Sequence, residues 1–171
     1  IGNTSQARDI KLNIAATVTA VRFVGVTPSN CYPQIAADSS GSKLYVQSTS
    51  GNAQIEADSH TGYSWGGSLN VPIVFLSDTD IRSSIPSKYL VMGRDFHGTG
   101  NLHFYSPSGE GFIMLRTSAS PDYTGTIYVS DSRLFQVNGT LYACTNAPFV
   151  IHRGASLTLA GVAHCGKVIS M

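Results

Sequence analysis

Residues 9–20 read DIKLNIAATVTA, and their apolar side chains fall on alternate positions, namely Ile10, Leu12, Ile14, Ala16 and Val18. This period of two is typical of a β-strand with one buried face. A helical interpretation also exists, because Ile10, Ile14 and Val18 are spaced by four. A helix would use β-branched residues throughout, however, and these disfavour helices. We therefore predict a first strand over 9–20.

Short β-rich runs continue to the C-terminus and are separated by turn residues. They cover 43–47, 69–76, 88–92, 102–105, 112–116, 126–129, 149–152, 156–160 and 167–170. Residues 134–142, LFQVNGTLY, predict a β-hairpin, since Asn138-Gly139 accepts the positive φ angles of a type I′ turn. Residues 78–86 combine charges, serines and a proline, which indicates a loop or one helical turn.

The composition supports an all-β fold. Charged residues make up 12% of the 171 residues, and the chain has two glutamates and four lysines, so the residues typical of exposed helix faces are scarce. We predict one antiparallel β-sandwich domain, immunoglobulin-like or jelly-roll-like, with little helix. It would span 9–171 after a flexible leader at 1–8. No internal repeat is apparent.

Charge and motifs exclude several classes of function. A net charge of +1 and scattered arginines argue against nucleic-acid binding. No apolar stretch approaches the roughly 20 residues needed to span a bilayer, so membrane insertion is not expected. Serine-nucleophile, zinc-protease and phosphate-loop motifs are absent, so we expect neither an enzyme nor a cofactor.

The three cysteines lack the spacing of a metal site, and no metal is expected. In an oxidising compartment Cys144 and Cys165 would form a disulfide that closes a short loop, leaving Cys31 free. In a reducing compartment all three would be buried thiols. Ile1 stands where an initiator Met would be expected, which fits a mature secreted form and equally a trimmed chain.

The alternating N-terminal run resembles the donor strand of chaperone–usher fimbrial (pilus) subunits. In that family the alternating apolar residues of the strand fill a groove in the next subunit and complete its immunoglobulin-like sandwich. The resemblance implies that Ile10, Leu12, Ile14, Ala16 and Val18 form an assembly strand. The expected function is then a structural or adhesive subunit of a surface filament, with other copies of the same or related subunits as partners. An ordinary first strand within the domain is the alternative.

Two segments are candidate ligand sites. Tyr63 and Trp65 form an aromatic pair in a Gly- and Ser-rich setting, which suits sugar stacking or protein anchoring, although a core Trp would have the same pattern. Asp95 and His97 lie in a Gly-rich segment where ligand contacts are often found, although both are also common turn formers. They support a second hypothesis, a self-contained receptor- or carbohydrate-binding module that contacts a host glycan or receptor. Both hypotheses place the protein outside the cell or on a virion surface.

Overall fold

The computed structural model describes residues 8–23, 33–58, 65–84, 89–106, 112–115, 122–130, 134–138, 146–160 and 168–171. These residues contain eighteen short strands, β1 to β18 in chain order, and no helix. All of the strand pairs are parallel. The chain therefore forms a parallel β-solenoid.

The strands form three sheets, here called A, B and C. Sheet A has seven strands in the order β1 (Arg8–Leu12), β4 (Pro33–Ala37), β7 (Trp65–Asn70), β10 (Tyr89–Met92), β13 (Phe112–Leu115), β15 (Leu134–Asn138) and β17 (Leu157–Ala160). Sheet B has four, β2 (Ala16–Val18), β5 (Leu44–Val46), β8 (Ile73–Phe75) and β11 (Phe96–Gly98). Sheet C has seven, β3 (Ala20–Phe23), β6 (Ala53–Ala57), β9 (Thr79–Ser83), β12 (Leu102–Tyr105), β14 (Ile127–Ser130), β16 (Phe149–Ile151) and β18 (Val168–Ser170).

The first four turns of the chain, called rungs here, each pass through A, B and C in order. Each rung pairs with the next, so side chains at matched positions stack in rows along the axis. One inward row of sheet C consists of buried apolar residues over six strands, β3 to β16, namely Val21, Ile55, Ile81, Phe104, Val129 and Ile151. Stacked rows of this kind form one continuous core.

The expected antiparallel sandwich, immunoglobulin-like or jelly-roll-like, is wrong. Alternation along a strand reports which side chains are buried, but it carries no information on the direction of the neighbouring strand. The repeat was also missed. Ile35, Leu69 and Met92 stack in neighbouring rungs at unequal separations along the chain, because the connections between strands differ in length.

The hairpin predicted at 134–142 is also wrong. Strand β15 lies between β13 and β17 and is parallel to both, which leaves no edge for an antiparallel partner. The loop predicted at 78–86 is corrected in part, because Thr79–Ser83 forms β9, which alternates between buried and half-buried residues. Its charged residues, Asp80 and Arg82, lie on the outward face, whereas Thr79 and Ser83 are polar but buried.

The single strand predicted over 9–20 is divided into three. Strands β1, β2 and β3 lie in sheets A, B and C, with the first corner at 13–15. Apolar residues continue to alternate in the sequence across this corner. The sequence therefore showed no break between the strands. The Ser42 hydroxyl donates a hydrogen bond to the Leu12 carbonyl and connects this first rung to the second.

An aromatic cluster fills the core beside sheet B. Phe75, Phe96 and Tyr123 meet edge to face, with ring centroids 5.3 to 6.1 Å apart. The Tyr123 hydroxyl donates to the Gly100 carbonyl at 2.8 Å, so its polar end is satisfied although the residue is fully buried.

Other predictions fall on residues that the structure does not describe. They are Cys31, both partners of the predicted Cys144–Cys165 disulfide, and most of the leader at 1–8. No disulfide is found among the described residues. Within the same ranges, no helix is long and apolar enough to cross a membrane.

Candidate functional site

The outward side of sheet C, called the C face here, has two parallel rows of polar side chains. They alternate with the buried inward row, so the strand pattern itself directs them to solvent. The first row contains Gln54, Asp80, His103 and Tyr128. The second contains Arg22, Glu56, Arg82 and Tyr105. Neighbours in a row lie on adjacent strands, roughly 4.8 Å apart.

Glu56 lies at the centre of the second row between two arginines. Its Oε2 atom is 3.2 Å from Arg22 Nε, and its Oε1 atom contacts Arg82 Nη2. The Glu56 side chain is only 9% exposed, whereas those of Arg22 and Arg82 are 57% and 33% exposed. A carboxylate with so little water contact requires such partners. The pair of cations thus compensates Glu56 and leaves one positive charge in excess.

A depression of about 160 Å³ opens on this part of the C face, and Arg22, Glu56, Arg82, Gln54, Asp80 and Tyr105 line it. Gln54 Oε1 accepts a hydrogen bond from Arg22 Nη2 at 3.0 Å, which orients that guanidinium. Asn52 Nδ2 donates to Asp80 Oδ1 at 2.8 Å. The depression therefore combines fixed cationic donors with a fixed carboxylate acceptor.

Beyond the depression, three rings continue the polar surface toward the C-terminus. His103 and Tyr128 stack with centroids 4.8 Å apart and planes within 4°. Tyr128 and His152 follow at 6.2 Å and 26°. The ring faces are turned toward each other along the solenoid axis. The ring edges therefore form the outward surface of the stack. Imidazole nitrogens and a phenol hydroxyl can donate or accept hydrogen bonds there.

The C face as a whole is a hydrogen-bonding surface that runs along the solenoid axis. Its groups are suited to an elongated ligand rich in hydroxyls. Among the described residues, no group of three or more His, Cys, Asp and Glu side chains could hold a metal ion.

The structure separates the ligand-binding residues predicted from the sequence. Tyr63 lies outside the described residues, and Trp65 begins β7 in sheet A. His97 lies in β11 of sheet B, where its Nδ1 atom is 3.5 Å from Asp122 Oδ2. The acidic neighbour of His97 is thus Asp122, while Asp95 accepts a backbone hydrogen bond from Ile73 at 3.0 Å.

The predicted assembly residues are distributed over the first rung. Ile10 is 62% exposed and Ile14 is 66% exposed. Leu12, Ala16 and Val18 are partly buried and pack against the core. Strands β1, β2 and β3 each lie at the end of their sheet. Two of the five residues are therefore exposed at the N-terminal end of the solenoid.

Analysis of the sequence missed the C face. Arg22 and Glu56 lie in two runs that alternate apolar and polar residues, and Arg82 lies in a mostly polar run, 79–83. The available signal was that each polar residue stands between two inward residues. Only the parallel register shows that the three side chains are neighbours.

Comparisons with protein-family models, curated proteins and solved structures found no match to this chain.

Proposed function

We propose that the protein is a glycan-binding module that holds an extended saccharide along the C face. The observation that carries the proposal is the pair of in-register polar rows on sheet C. Carbohydrate binding was the second hypothesis from the sequence, and here it is proposed for a different surface. The expected location outside the cell or on a virion belongs to the same proposal.

The spacing of the rows supports a polymeric ligand. Adjacent strands present a side chain every 4.8 Å or so, which is close to the length of one sugar unit in an extended chain. Acceptors, cationic donors and ring edges follow one another along the face, as the hydroxyls of successive sugars require. A compact ligand would contact only a small part of this surface.

The contacts of Glu56 and Asp80 support a protein that binds a glycan without cleaving it. General acid or base catalysis needs a carboxyl group that can exchange a proton with the substrate. Both oxygens of Glu56 contact guanidinium groups, and Asp80 accepts from Asn52. Glu56 is therefore engaged through both oxygens and Asp80 through Oδ1, so the two carboxylates act as fixed hydrogen-bond acceptors.

Removal of single polar groups from the ring stack tests this proposal. Tyr128→Phe and His103→Ala should each weaken glycan binding by about two- to tenfold, the range expected for one lost hydrogen bond. Binding would be identified on a glycan array and then measured by isothermal titration calorimetry. Tyr45→Phe is the matched control, since Tyr45 is a half-buried outward tyrosine on sheet B.

Two results would count against a glycan function on the C face. One is equal loss of affinity in the Tyr45 variant, which would place the ligand elsewhere. The other is the absence of binding to any glycan by the folded protein. Release of new reducing ends from a bound glycan would contradict the proposed lack of catalysis.

A second candidate function is assembly with other copies into a surface filament, and the exposed first rung favours it. Ile10 and Ile14 are exposed on a rung whose three strands have one unpaired edge within the described sheets. Edge strands of this kind accept another chain. Addition to the edge would replace the groove filling expected from the fimbrial resemblance, because that mechanism requires a sandwich.

Light scattering after size-exclusion chromatography tests the assembly function. Ile10→Asp and Ile14→Asp should convert oligomers to monomers if the first rung is the contact. Leu76→Asp is the matched control, because Leu76 is also an exposed apolar residue, at 49%, but lies after β8. A wild-type protein that remains monomeric at high concentration would exclude this function.

A further inference from the structure

The two arginines of the C face have more donors than Glu56 and Gln54 use. A guanidinium has five N–H groups arranged to match a carboxylate. Arg22 directs Nε to Glu56 and Nη2 to Gln54, and Arg82 directs Nη2 to Glu56. Beyond the contacts made by the described residues, both guanidiniums retain N–H groups.

We propose that Arg22 and Arg82 form a subsite for the carboxylate of an acidic sugar, so that the ligand of the C face is a carboxylated glycan. This inference rests on the glycan-binding function proposed above. Glu56 is the positioning residue of the subsite, because it lies between the two guanidiniums, contacts both, and lines the same depression.

The burial of the three residues supports this division of roles. Glu56 is nearly buried, so it has little contact with solvent or ligand, whereas Arg22 and Arg82 are accessible. The three side chains together have a charge of +1. Asp80 in the same lining brings the net charge of the depression to zero, so the attraction for a carboxylate is local to the two guanidiniums. Their charge-assisted hydrogen bonds to it would be stronger than neutral ones.

The size of the depression fits a substituent and not a whole ligand. At about 160 Å³ it is smaller than the roughly 300 to 1,000 Å³ typical of small-molecule pockets. It can receive a carboxylate and the adjoining part of a sugar ring. The remainder of the glycan would extend along the rows of the C face in both directions.

Asp80 determines which anions can bind in the depression. It lines the same depression and is fixed by Asn52, so it repels any ligand with negative charge on all sides. A sugar acid avoids this repulsion, since its hydroxyls can donate to Asp80 while its carboxylate faces the arginines. Inorganic sulfate lacks such donors, and inorganic phosphate has fewer of them than a sugar.

The test compares a polyuronate with the same polymer after its carboxyl groups have been reduced to alcohols. Calorimetry on the wild-type protein should show binding to the polyuronate about tenfold tighter, as expected for a hydrogen bond to a charged group. Arg22→Gln should abolish this preference, because it lowers affinity for the polyuronate more than affinity for the reduced polymer. Arg94→Gln is the matched control, because Arg94 is exposed but lies at the corner between sheets A and B.

Glu56→Gln provides a second test, which distinguishes a ligand-binding role of the cluster from a purely structural one. It should reduce the preference for the carboxylated polymer while a β-sheet circular dichroism spectrum is retained. A sialylated oligosaccharide serves as the other source of a sugar carboxylate. Preference for its carboxylated form over its methyl ester would support the subsite with a terminal acidic sugar as ligand.

The outcomes that overturn the inference are distinct from failure of the proposed function. Equal affinity for the carboxylated and reduced polymers, or a preference that persists in Arg22→Gln, overturns the acidic subsite but preserves glycan binding. Stronger binding of inorganic phosphate than of uronate also overturns it. Absence of binding to every glycan removes the proposed function and this inference together.

Discussion

At the scale of single residues, two groups of paired charges in the described part of the chain differ in character. Glu56 is 9% exposed and contacts two arginines, whereas Lys11 and Asp38 are 61% and 49% exposed and lie 3.6 Å apart. Water and salt screen the exposed pair, so it contributes little to stability. Glu56 has lost most of its water, and its stabilisation depends on the arginines.

Neutralising each acid separately should reveal this difference. Glu56→Gln is expected to lower the free energy of unfolding by about 1–3 kcal/mol, less than for a fully buried pair because both arginines are partly exposed. Asp38→Asn should change it by less than about 0.5 kcal/mol. Urea unfolding followed by circular dichroism measures both. Equal effects would mean that Glu56 is better solvated than the structure shows.

At the scale of elements, glycines at strand ends and corners are subject to two different constraints. Gly98 ends β11 with φ at 97°, and an added Cβ would lie 2.3 Å from the Phe75 carbonyl oxygen on the rung before. Gly154 also has a positive φ, 89°, but an added Cβ would meet nothing within 4 Å. Backbone conformation and close approach of adjacent rungs are thus separate constraints.

Alanine at these two positions should separate the constraints. Gly154→Ala is expected to destabilise the protein by about 1 kcal/mol, the penalty for a left-handed conformation. Gly98→Ala adds a clash with backbone and should destabilise it by more than about 2 kcal/mol. Gly41→Ala is the neutral reference. An added Cβ at Gly41 would meet no atom within 4 Å, and Gly41 does not have a positive φ. Thermal melts of the three variants measure the order, and a Gly98 variant as stable as the Gly41 variant would contradict this account.

At the scale of the whole molecule, stability is distributed along an axis. Each strand pairs only with strands of the neighbouring rungs, so contacts are made between successive layers. The first rung is less enclosed than the second, since Ile10 and Ile14 are exposed there, while Ile55 on the second rung is fully buried.

Deletion of residues 1–23, which removes the first rung, should therefore weaken the fold without abolishing it. We expect a shortened protein that retains a β-sheet spectrum and melts cooperatively at a lower temperature. Ile55→Asp should prevent folding, because it places a charge in the buried row. Differential scanning calorimetry and far-UV circular dichroism measure both. Complete unfolding of the deletion variant would show that the rungs do not form separable layers.

The sequence was sufficient to predict an all-β protein and the position of many strands. The predicted run at 102–105 coincides with β12, and Leu44–Val46 lies inside the run predicted at 43–47. The reason is local: β-branched and aromatic residues that alternate with polar ones suit a pleated strand with one buried face, whatever the neighbouring strand is.

Only the tertiary structure decided how the strands pair and which residues meet on the C face. A period of two is the same in parallel and antiparallel sheets, so the alternation at 9–20 fitted a sandwich as well as a solenoid. Unequal connections hid the repeat that would have placed Arg22, Glu56 and Arg82 in one row. Their cluster forms because parallel strands stack in register, bringing distant residues together at the strand spacing, and no local pattern encodes that register.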